Sequence, residues 1–279
     1  MASKQPQVVV VTGCSKGGIG FALCEEYARR GCKVYATARR LEAMEGFAQP
    51  GIERLALDVT SDENVQSVVK TVIDREGRID VVVNNAGANC AGAVIDVPLD
   101  VVQRTFDANF LAVLRVCKAV FPHMAARRSG TIVNVGSIVG EIPTPWNGIY
   151  AASKAALHQV TDVLWMECKP FDIDVILLIP GAVKSNIADK ALAAGVCVPD
   201  NSLYRSYEPQ IVSRVLASQG PNSMPNAEFA RRTVDATLAS KPPRSIMIGG
   251  NALLWRIFAW LPKTWVLNRL WRFFLKVRK

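Results

Sequence analysis

Apolar runs of strand length alternate with helical patterns along most of the chain. The run VVVV (8–11) precedes a helical pattern over about 19–30, and the apolar run KVYATA (33–38) follows it. Strand, helix and strand in this order are typical of a parallel sheet. The alternation continues with a strand ending near Asp58, further strands at 79–85, 130–136, 174–179 and 245–249, and helices at about 62–75, 99–127, 151–168 and 227–239.

The two longest predicted helices, 99–127 and 151–168, are apolar around most of their circumference. Such helices are buried on more than one side, and an all-parallel sheet has helices on both of its faces. We therefore predict an α/β fold, with a single-domain doubly wound parallel sheet over residues 1–250 and an amphipathic helical tail over 251–279. A length of 279 residues and an apolar content of 50% fit one large α/β domain.

Regular patterning is lost between residues 180 and 226, where Gly, Pro, Asn and Ser are frequent. A long irregular stretch in a compact domain is usually a lid or a binding loop, so we predict a substrate lid over about 185–226. Four cations in or beside it are together candidates to contact an anionic substrate, although each alone is typical of a solvated charge: Lys184, Lys190, Arg205 and Arg214.

The net charge of +9 comes from the C-terminal end of the chain. No acidic residue follows Asp235, whereas residues 236–279 hold nine of the 33 Lys and Arg and so leave 24 cations against 24 acids elsewhere. This distribution favours an anionic surface near the C-terminus over a nucleic-acid partner. Seven scattered cysteines without metal-ligand spacing, after the polar start MASKQPQ, predict no metal site and a reducing, intracellular compartment.

A glycine-rich turn, TGCSKGGIG (12–20), joins the first strand to the first helix. Glycines there let the backbone approach a pyrophosphate, whose charge then faces free N–H groups at the helix N-terminus. The second strand ends in Ala38-Arg39-Arg40, without the acid that an NAD site places there. Because cations at a helix start are unfavourable, an external phosphate explains them best, and the pattern predicts NADP(H) over NAD(H).

Tyr150 and Lys154 lie one helical turn apart, and Ser137 follows a predicted strand. A nearby ammonium lowers the pKa of a phenol from its ordinary value of about 10, so Tyr can act as an acid or base near neutral pH. A strand end at the carboxyl edge of a parallel sheet is a ligand position, where Ser137 can donate to a carbonyl. We expect His123 and His158, which have no partner at ligand spacing, to lie outside the site.

Together these motifs resemble those of the short-chain dehydrogenase/reductase family. The glycine turn, NNAG (84–87), Asn109 in DANF, Ser137, YAASK (150–154) and Pro180-Gly181 follow the family's order and spacing over about residues 7–250. The resemblance implies a Rossmann-type sheet and an oxidoreductase. The glycine turn departs from the family pattern, because four residues, where the family usually has three, separate Gly13 from Gly18.

The resemblance also implies a role for each matching residue. Tyr150 would donate the proton to the reduced carbonyl, and Ser137 would orient that carbonyl. Lys154 would bind the nicotinamide ribose and lower the pKa of Tyr150, while Asn109 would hold a water that relays protons to Lys154. The cofactor would contact Gly13, Ser15, Lys16, Gly18, Ile19, Gly20, Arg39, Arg40, Asp58, Val59, Asn85, Ala86, Gly87, Tyr150, Lys154, Pro180, Gly181, Val183 and Ser185.

Because all four catalytic positions are filled, an enzyme is favoured over a binding or regulatory protein that keeps the fold without turnover. A narrower resemblance, carried by residues 150–190, the Met-Pro at 224–225 and the Trp-rich tail, is to fungal NADPH-dependent reductases of 1-acyldihydroxyacetone phosphate and related fungal tailoring enzymes. It implies reduction of a ketone on a large apolar substrate. The alternative is a polycyclic, terpenoid or polyketide ketone, or the matching alcohol, in secondary metabolism. We also expect a homodimer or homotetramer.

The tail holds four of the six Trp and seven Arg or Lys in residues 252–279. Helical spacing places Asn268, Arg269, Arg272, Lys276 and Lys279 on one face, and the other face takes Val266, Leu267, Leu270, Trp271, Phe273, Phe274 and Val277. Such a helix can lie in a lipid interface, or it can pack on its own domain or on a partner subunit. Its longest uncharged run after Arg256 is six residues, too short to span a bilayer. We expect a peripheral site at the cytoplasmic face of the endoplasmic reticulum or on a lipid droplet, and otherwise in the cytosol.

Overall fold

Seven parallel strands form one sheet in the computed structural model, which describes residues 5–193 and 195–276. The strands are β1 (Val8–Thr12), β2 (Lys33–Ala38), β3 (Ile52–Ala56), β4 (Val81–Asn84), β5 (Gly130–Val135), β6 (Ile173–Pro180) and β7 (Ser245–Ile248), in the order β3-β2-β1-β4-β5-β6-β7. Alternate residues of β1 point to opposite faces, so that Val9 and Val11 join one apolar core and Val8 and Val10 the other. The predicted doubly wound sheet is confirmed.

Helices cover both faces of this sheet. They are α1 (Ile19–Arg29), α2 (Asp62–Glu76), α3 (Leu99–Phe106), α4 (Ala112–Arg127), α5 (Ile138–Glu141), α6 (Gly148–Glu167), α7 (Ile187–Ala193), α8 (Glu208–Leu216), α9 (Asn226–Thr237), α10 (Ala252–Phe258) and α11 (Lys263–Phe274). The single helix predicted over 99–127 is divided into α3 and α4 by a π-helical turn, Asp107–Leu111. Turns of this kind are frequent at functional sites.

The segment predicted as an irregular lid contains the helices α7 and α8. Ile211 and Val215 lie one turn apart on α8, and both are buried in a small core with Trp146 and Ala188. The prediction of irregular structure was therefore wrong for these residues, because helices of seven and nine residues are too short to give a clear periodic signal. The side chain of Lys190, one of the four cations, lies outside the described part of the chain.

The tail packs one face of α10 and α11 on its own domain. Trp255, Val266 and Leu270 are buried against Ile138, Val139 and Ile142, and the Trp255 Nε1 donates a hydrogen bond to the Ile142 carbonyl at 3.2 Å. The packing alternative is thus realised for one side of the tail. Of the residues predicted for the apolar face, Val266 and Leu270 are buried, whereas Leu267, Trp271 and Phe273 are partly exposed. The apolar side chains exposed on the tail are Leu253, Leu254, Ile257, Trp260, Leu261, Trp265, Leu267, Trp271 and Phe273. The predicted positions Val277 and Lys279 lie outside the described residues.

Across residues 5–193 and 195–276, no helix combines the length and apolar composition needed to cross a bilayer.

Candidate active site

The carboxyl ends of four central strands meet at one edge of the sheet. β1 lies between β2 and β4 in the sheet. The connection after β1 therefore runs toward one edge of the sheet, and the connection after β4 runs toward the other edge. A crevice opens at such a crossover, and it is the usual ligand position in open α/β sheets. The glycine turn after β1, the Asn85 loop after β4, Ser137 after β5 and Gly181 after β6 are brought together there.

The glycine turn is packed tightly against the loop after β4. Gly13 has a φ of +75°, and a Cβ on it would lie 2.7 Å from the Ala86 Cα. A Cβ on Gly20 would lie 2.5 Å from the Asn85 Nδ2. The Thr12 Oγ1 accepts hydrogen bonds from the backbone N–H groups of Asn85 and Ala86, both at 3.0 Å. Glycine is needed here for close backbone approach as well as for the turn itself.

A cavity beside the glycine turn, called the cation-lined second cavity below, carries the cations predicted to hold a phosphate. It is lined by Ser15, Lys16, Ala38, Arg39, Arg40 and Ala43. Arg39 and Arg40 are exposed, and among the described residues neither they nor Lys16 pairs with a carboxylate. Hydrogen bonds from Thr60, with a smaller effect of the Arg39 charge, hold the pKa of Asp58 below its ordinary value. Three unpaired cations around one opening fit a phosphate group.

Helix α6 carries Tyr150 and Lys154 on one face, as the spacing predicts. Lys154 is buried, and its Nζ donates to the Val135 carbonyl at 2.7 Å. Asn109 is fully buried in the π-helical turn, where its side chain accepts from the Ala88 N–H at 2.7 Å and donates to the Ser153 Oγ at 2.9 Å. A Cβ on Gly87 would lie 2.9 Å from the Asn109 Oδ1 and 3.7 Å from the Lys154 Nζ, so these three residues are neighbours.

The electrostatics of Tyr150 differ from the sequence prediction. Burial raises the pKa of Tyr150 above its ordinary value, and this effect is opposed by a hydrogen bond with Ser137 and by the charge of Arg214. Lys154 is not among the groups that lower it, and burial lowers the pKa of Lys154 itself to about 8. In this structure the pKa of Tyr150 is therefore raised and not lowered, because desolvation outweighs the favourable charges.

Ten of the predicted residues line one cavity, called the catalytic cavity below: Ile19, Asn85, Gly87, Ser137, Tyr150, Lys154, Pro180, Gly181, Val183 and Ser185. Four line the cation-lined second cavity: Ser15, Lys16, Arg39 and Arg40. The remaining seven predicted residues line neither cavity: Gly13, Gly18, Gly20, Asp58, Val59, Ala86 and Asn109. Four of these seven pack against residues that line a cavity: Gly13, Gly20, Ala86 and Asn109.

The catalytic cavity also contains an arginine that the sequence indicated only as one of four lid cations. The Arg214 Nε donates to the Thr144 Oγ1 at 2.7 Å, and its Nη2 donates to the side-chain oxygen of Asn147 at 3.0 Å in the orientation that the neighbours of Asn147 require. Its guanidinium lies 5.3 Å from the ring centre of Phe274. Within the described residues, no carboxylate pairs with Arg214. The tail supplies Trp255 and Phe274 to the same wall, which no local pattern indicated.

Comparison with known proteins places this geometry in a family. The family model "short chain dehydrogenase" matches residues 7–194. The chain is 39% identical over 207 residues, 73% of this chain and 70% of the relative, to NADPH-dependent 1-acyldihydroxyacetone phosphate reductase of Schizosaccharomyces pombe. It is 33% identical to short-chain dehydrogenase virD of Hypocrea virens, over 98% of this chain and 92% of that protein. A crystal structure of a short-chain dehydrogenase from Streptomyces avermitilis superposes with a TM-score of 0.79 at 30% identity, covering 97% of this chain and 95% of that one.

The chain belongs to the short-chain dehydrogenase family, and it is an oxidoreductase of that family. The predictions of family and of enzyme class are confirmed.

Proposed function

We propose that this protein reduces the ketone of 1-acyldihydroxyacetone phosphate, or of a closely similar acyl ketone phosphate, with NADPH. The cofactor is NADP(H), and when bound it supplies the hydride. The residues present fit it: the glycine turn and the Asn85 loop offer backbone approach to the pyrophosphate, while Lys16, Arg39 and Arg40 offer cations to the ribose 2′-phosphate.

The chain's own residues supply the acid chemistry. Ser137, Tyr150 and Lys154 line one cavity, and the polar interaction of Ser137 with the Tyr150 phenol lowers the pKa of Tyr150. In this proposal the Ser137 and Tyr150 hydroxyl groups hold the ketone oxygen, and the Tyr150 phenol donates the proton as the alcohol forms. Lys154, one turn further along α6, would hold the nicotinamide ribose.

The observation that supports a phosphorylated substrate is Arg214. Its guanidinium lies in the catalytic cavity with only neutral hydrogen-bond partners among the described residues, and burial lowers its pKa to about 10. Arg214 is partly buried, and a cation partly removed from water is costly unless it is paired. A phosphate monoester would provide that pairing through charge-assisted hydrogen bonds.

The same cavity offers an apolar wall for an acyl chain, formed by Ile138, Val139, Ile187, Val215, Trp255 and Phe274. One substrate that carries both a phosphate and a long acyl chain beside a ketone matches both features. The names of the relatives from Schizosaccharomyces pombe and Saccharomyces cerevisiae, both NADPH-dependent 1-acyldihydroxyacetone phosphate reductases, add independent support.

The Arg214→Gln variant tests this assignment. We expect kcat/KM for 1-acyldihydroxyacetone phosphate to fall about tenfold or more, because a charge-assisted hydrogen bond contributes roughly 1.5–3 kcal/mol. Reduction of the acyl dihydroxyacetone that lacks the phosphate should change much less. Initial rates of NADPH oxidation with the two substrates measure the difference. Arg205→Gln, on the exposed side of the lid, is the matched control and should leave both rates unchanged.

A second candidate is supported by the 33% identity with virD over nearly the whole of both chains. In that case the substrate is a non-phosphorylated ketone of secondary metabolism, or the matching alcohol. A panel of acyl dihydroxyacetone phosphates, steroids and polyketide ketones separates the two candidates. Activity confined to the non-phosphorylated ketones would overturn our first choice.

We also propose that the tail holds the enzyme on an anionic lipid surface, at the cytoplasmic face of the endoplasmic reticulum or on a lipid droplet. One side of α10 and α11 packs on the core, whereas Trp260, in the turn between the two helices, is 90% exposed, and Trp265 on α11 is 53% exposed. Cations lie along the same two helices, and no acid follows Asp235. Indoles beside cations are the usual composition of an interfacial helix. The expected dimer or tetramer stays a prediction.

Flotation with vesicles of phosphatidylcholine and phosphatidylserine tests this surface. We expect the protein to float at low salt, and Trp260→Ala with Trp265→Ala to lower the bound fraction at least about tenfold, since burying one large apolar side chain contributes roughly 1.5–3 kcal/mol. Added salt should weaken binding of both proteins, because charges are screened over about 8 Å at physiological ionic strength.

Met166→Ala, which removes an exposed apolar side chain from α6 of the body, is the control and should bind like the wild type. These substitutions are preferable to deletion of residues 252–279, which would remove Trp255 from the core and from the cavity wall. Failure of the full chain to float at low salt would show that the tail is only a packing element.

A further inference from the structure

His158 makes a contact that the sequence did not predict. Its side chain is buried, and its Nε2 accepts a hydrogen bond from the backbone N–H of Ser137 at 3.2 Å. Its Nδ1 lies 3.0 Å from the Glu141 Oε1. Because an N–H must donate to the Nε2, the proton of a neutral imidazole is on the Nδ1, which donates to Glu141. The expectation that neither histidine reaches the site does not hold for His158.

The loop around Ser137 is shaped to receive this imidazole. A Cβ on Gly136 would lie 2.2 Å from the His158 Nε2, and a Cβ on Gly140 would lie 2.7 Å from the His158 Cε1. Both glycines have ordinary negative-φ or extended backbones, so their role here is space and not conformational freedom. The ring therefore occupies a slot that opens only because both flanking residues lack side chains.

Glu141 closes the other end of this slot. Its hydrogen bond with His158, together with the charge of Arg244, holds its pKa below the ordinary value, although burial opposes the shift. The carboxylate is thus ionised and selects the tautomer in which the Nε2 is free to accept. An imidazole held at both nitrogens has one ring orientation.

The position of His158 on α6 connects its hydrogen bond with Ser137 to the catalytic residues of the same helix. Tyr150, Lys154 and His158 follow one another at four-residue spacing, so the three side chains lie along one stripe of the helix. The Lys154 Nζ donates to the Val135 carbonyl at 2.7 Å, and the His158 Nε2 accepts from the Ser137 N–H. Helix α6 is therefore hydrogen-bonded at two points to the end of β5 and the loop that follows it. The helix that carries the proton donor also holds the residue that orients the carbonyl.

The Ser137 carbonyl also accepts a hydrogen bond from the Gly140 N–H at 2.9 Å, but the Ser137 hydroxyl group is held less firmly. Its Oγ accepts from the Val139 N–H at 3.4 Å, near the limit of a hydrogen bond, and the same hydroxyl group also interacts with the Tyr150 phenol. We propose that His158, oriented by Glu141, is a positioning residue that sets the distance between the Ser137 and Tyr150 hydroxyl groups for carbonyl reduction. The kinetic part of this inference rests on the proposed function, whereas the backbone contact does not.

A double-mutant comparison tests the inference. We expect His158→Leu to lower kcat about 10- to 100-fold, the effect of small displacements of a catalytic group, with little change in the Kd for NADPH. His158→Gln, whose amide oxygen can replace the Nε2 as acceptor, should recover most of the loss. In a Ser137→Ala background, His158→Leu should have almost no further effect, because a residue that acts through Ser137 has nothing left to position.

Glu141→Gln keeps an acceptor for the Nδ1 and should be milder than Glu141→Ala. Amide hydrogen exchange at Ser137, which requires no substrate, should be faster in His158→Leu than in wild type and in His158→Gln. Equal losses of kcat from His158→Leu with and without Ser137, or unchanged exchange at the Ser137 amide, would overturn the inference. If no panel ketone is reduced, the proposed function fails while the exchange measurement still decides the contact.

Discussion

Replacing Tyr150 with Phe will lower kcat for ketone reduction at least about 100-fold, the usual contribution of a positioned general acid. The substitution keeps the ring, so the packing of α6 is preserved, but it removes the proton and the hydroxyl group that interacts with Ser137. Binding of NADPH should survive, because the glycine turn and the cation-lined cavity do not include the phenol. Single-turnover rates and fluorescence titration with NADPH measure the two properties separately.

The matched control is Tyr207→Phe in the lid. Tyr207 packs its ring 5.5 Å from that of Trp146, outside the catalytic cavity lining, so loss of its hydroxyl group should leave turnover near the wild-type rate. If Tyr150→Phe keeps the wild-type turnover, another group is the proton donor and the assignment of the acid is wrong.

The second large effect concerns cofactor choice. The double variant Arg39→Asp with Arg40→Asp should lower kcat/KM for NADPH about 100-fold, because each charge-assisted phosphate contact contributes roughly 1.5–3 kcal/mol and is replaced by repulsion. The value for NADH, which lacks the 2′-phosphate, should be nearly unchanged. Steady-state kinetics with both cofactors, at one fixed ketone concentration, give the ratio of the two specificities.

A control variant with the same change in net charge shows whether the position of the two arginines, and not the total charge, sets the preference for NADPH. Arg54→Asp with Arg104→Asp alters two exposed arginines, in β3 and α3, that lie outside the cavity holding Arg39 and Arg40. This control should retain the wild-type preference for NADPH. Equal use of NADH and NADPH by the unmodified protein would refute the role given to the two arginines.

Local pattern was sufficient for most of the fold. The strands from β1 to β7 were predicted within a few residues, because buried parallel strands are short apolar runs and their turns carry Gly, Asn or Asp. Helices α7 and α8 were missed, because helices of seven and nine residues span too few turns for a clear periodic signal. The π-helical turn at Asn109 was also missed, since a π-turn has no periodic signature of its own.

The sequence by itself determined the parallel α/β architecture, the glycine turn, the arginines after β2 and the shared face of Tyr150 and Lys154, since all of these depend on spacings of a few residues. Only the tertiary structure decided which distant side chains share a cavity. Arg214 reaches Tyr150 through the packing of α8, and His158 reaches Ser137 through a slot between two glycines. Phe274 closes the cavity because α11 packs on the domain. The raised pKa of Tyr150 has the same origin, because burial is a property of everything packed around the phenol and cannot be read from its neighbours in sequence.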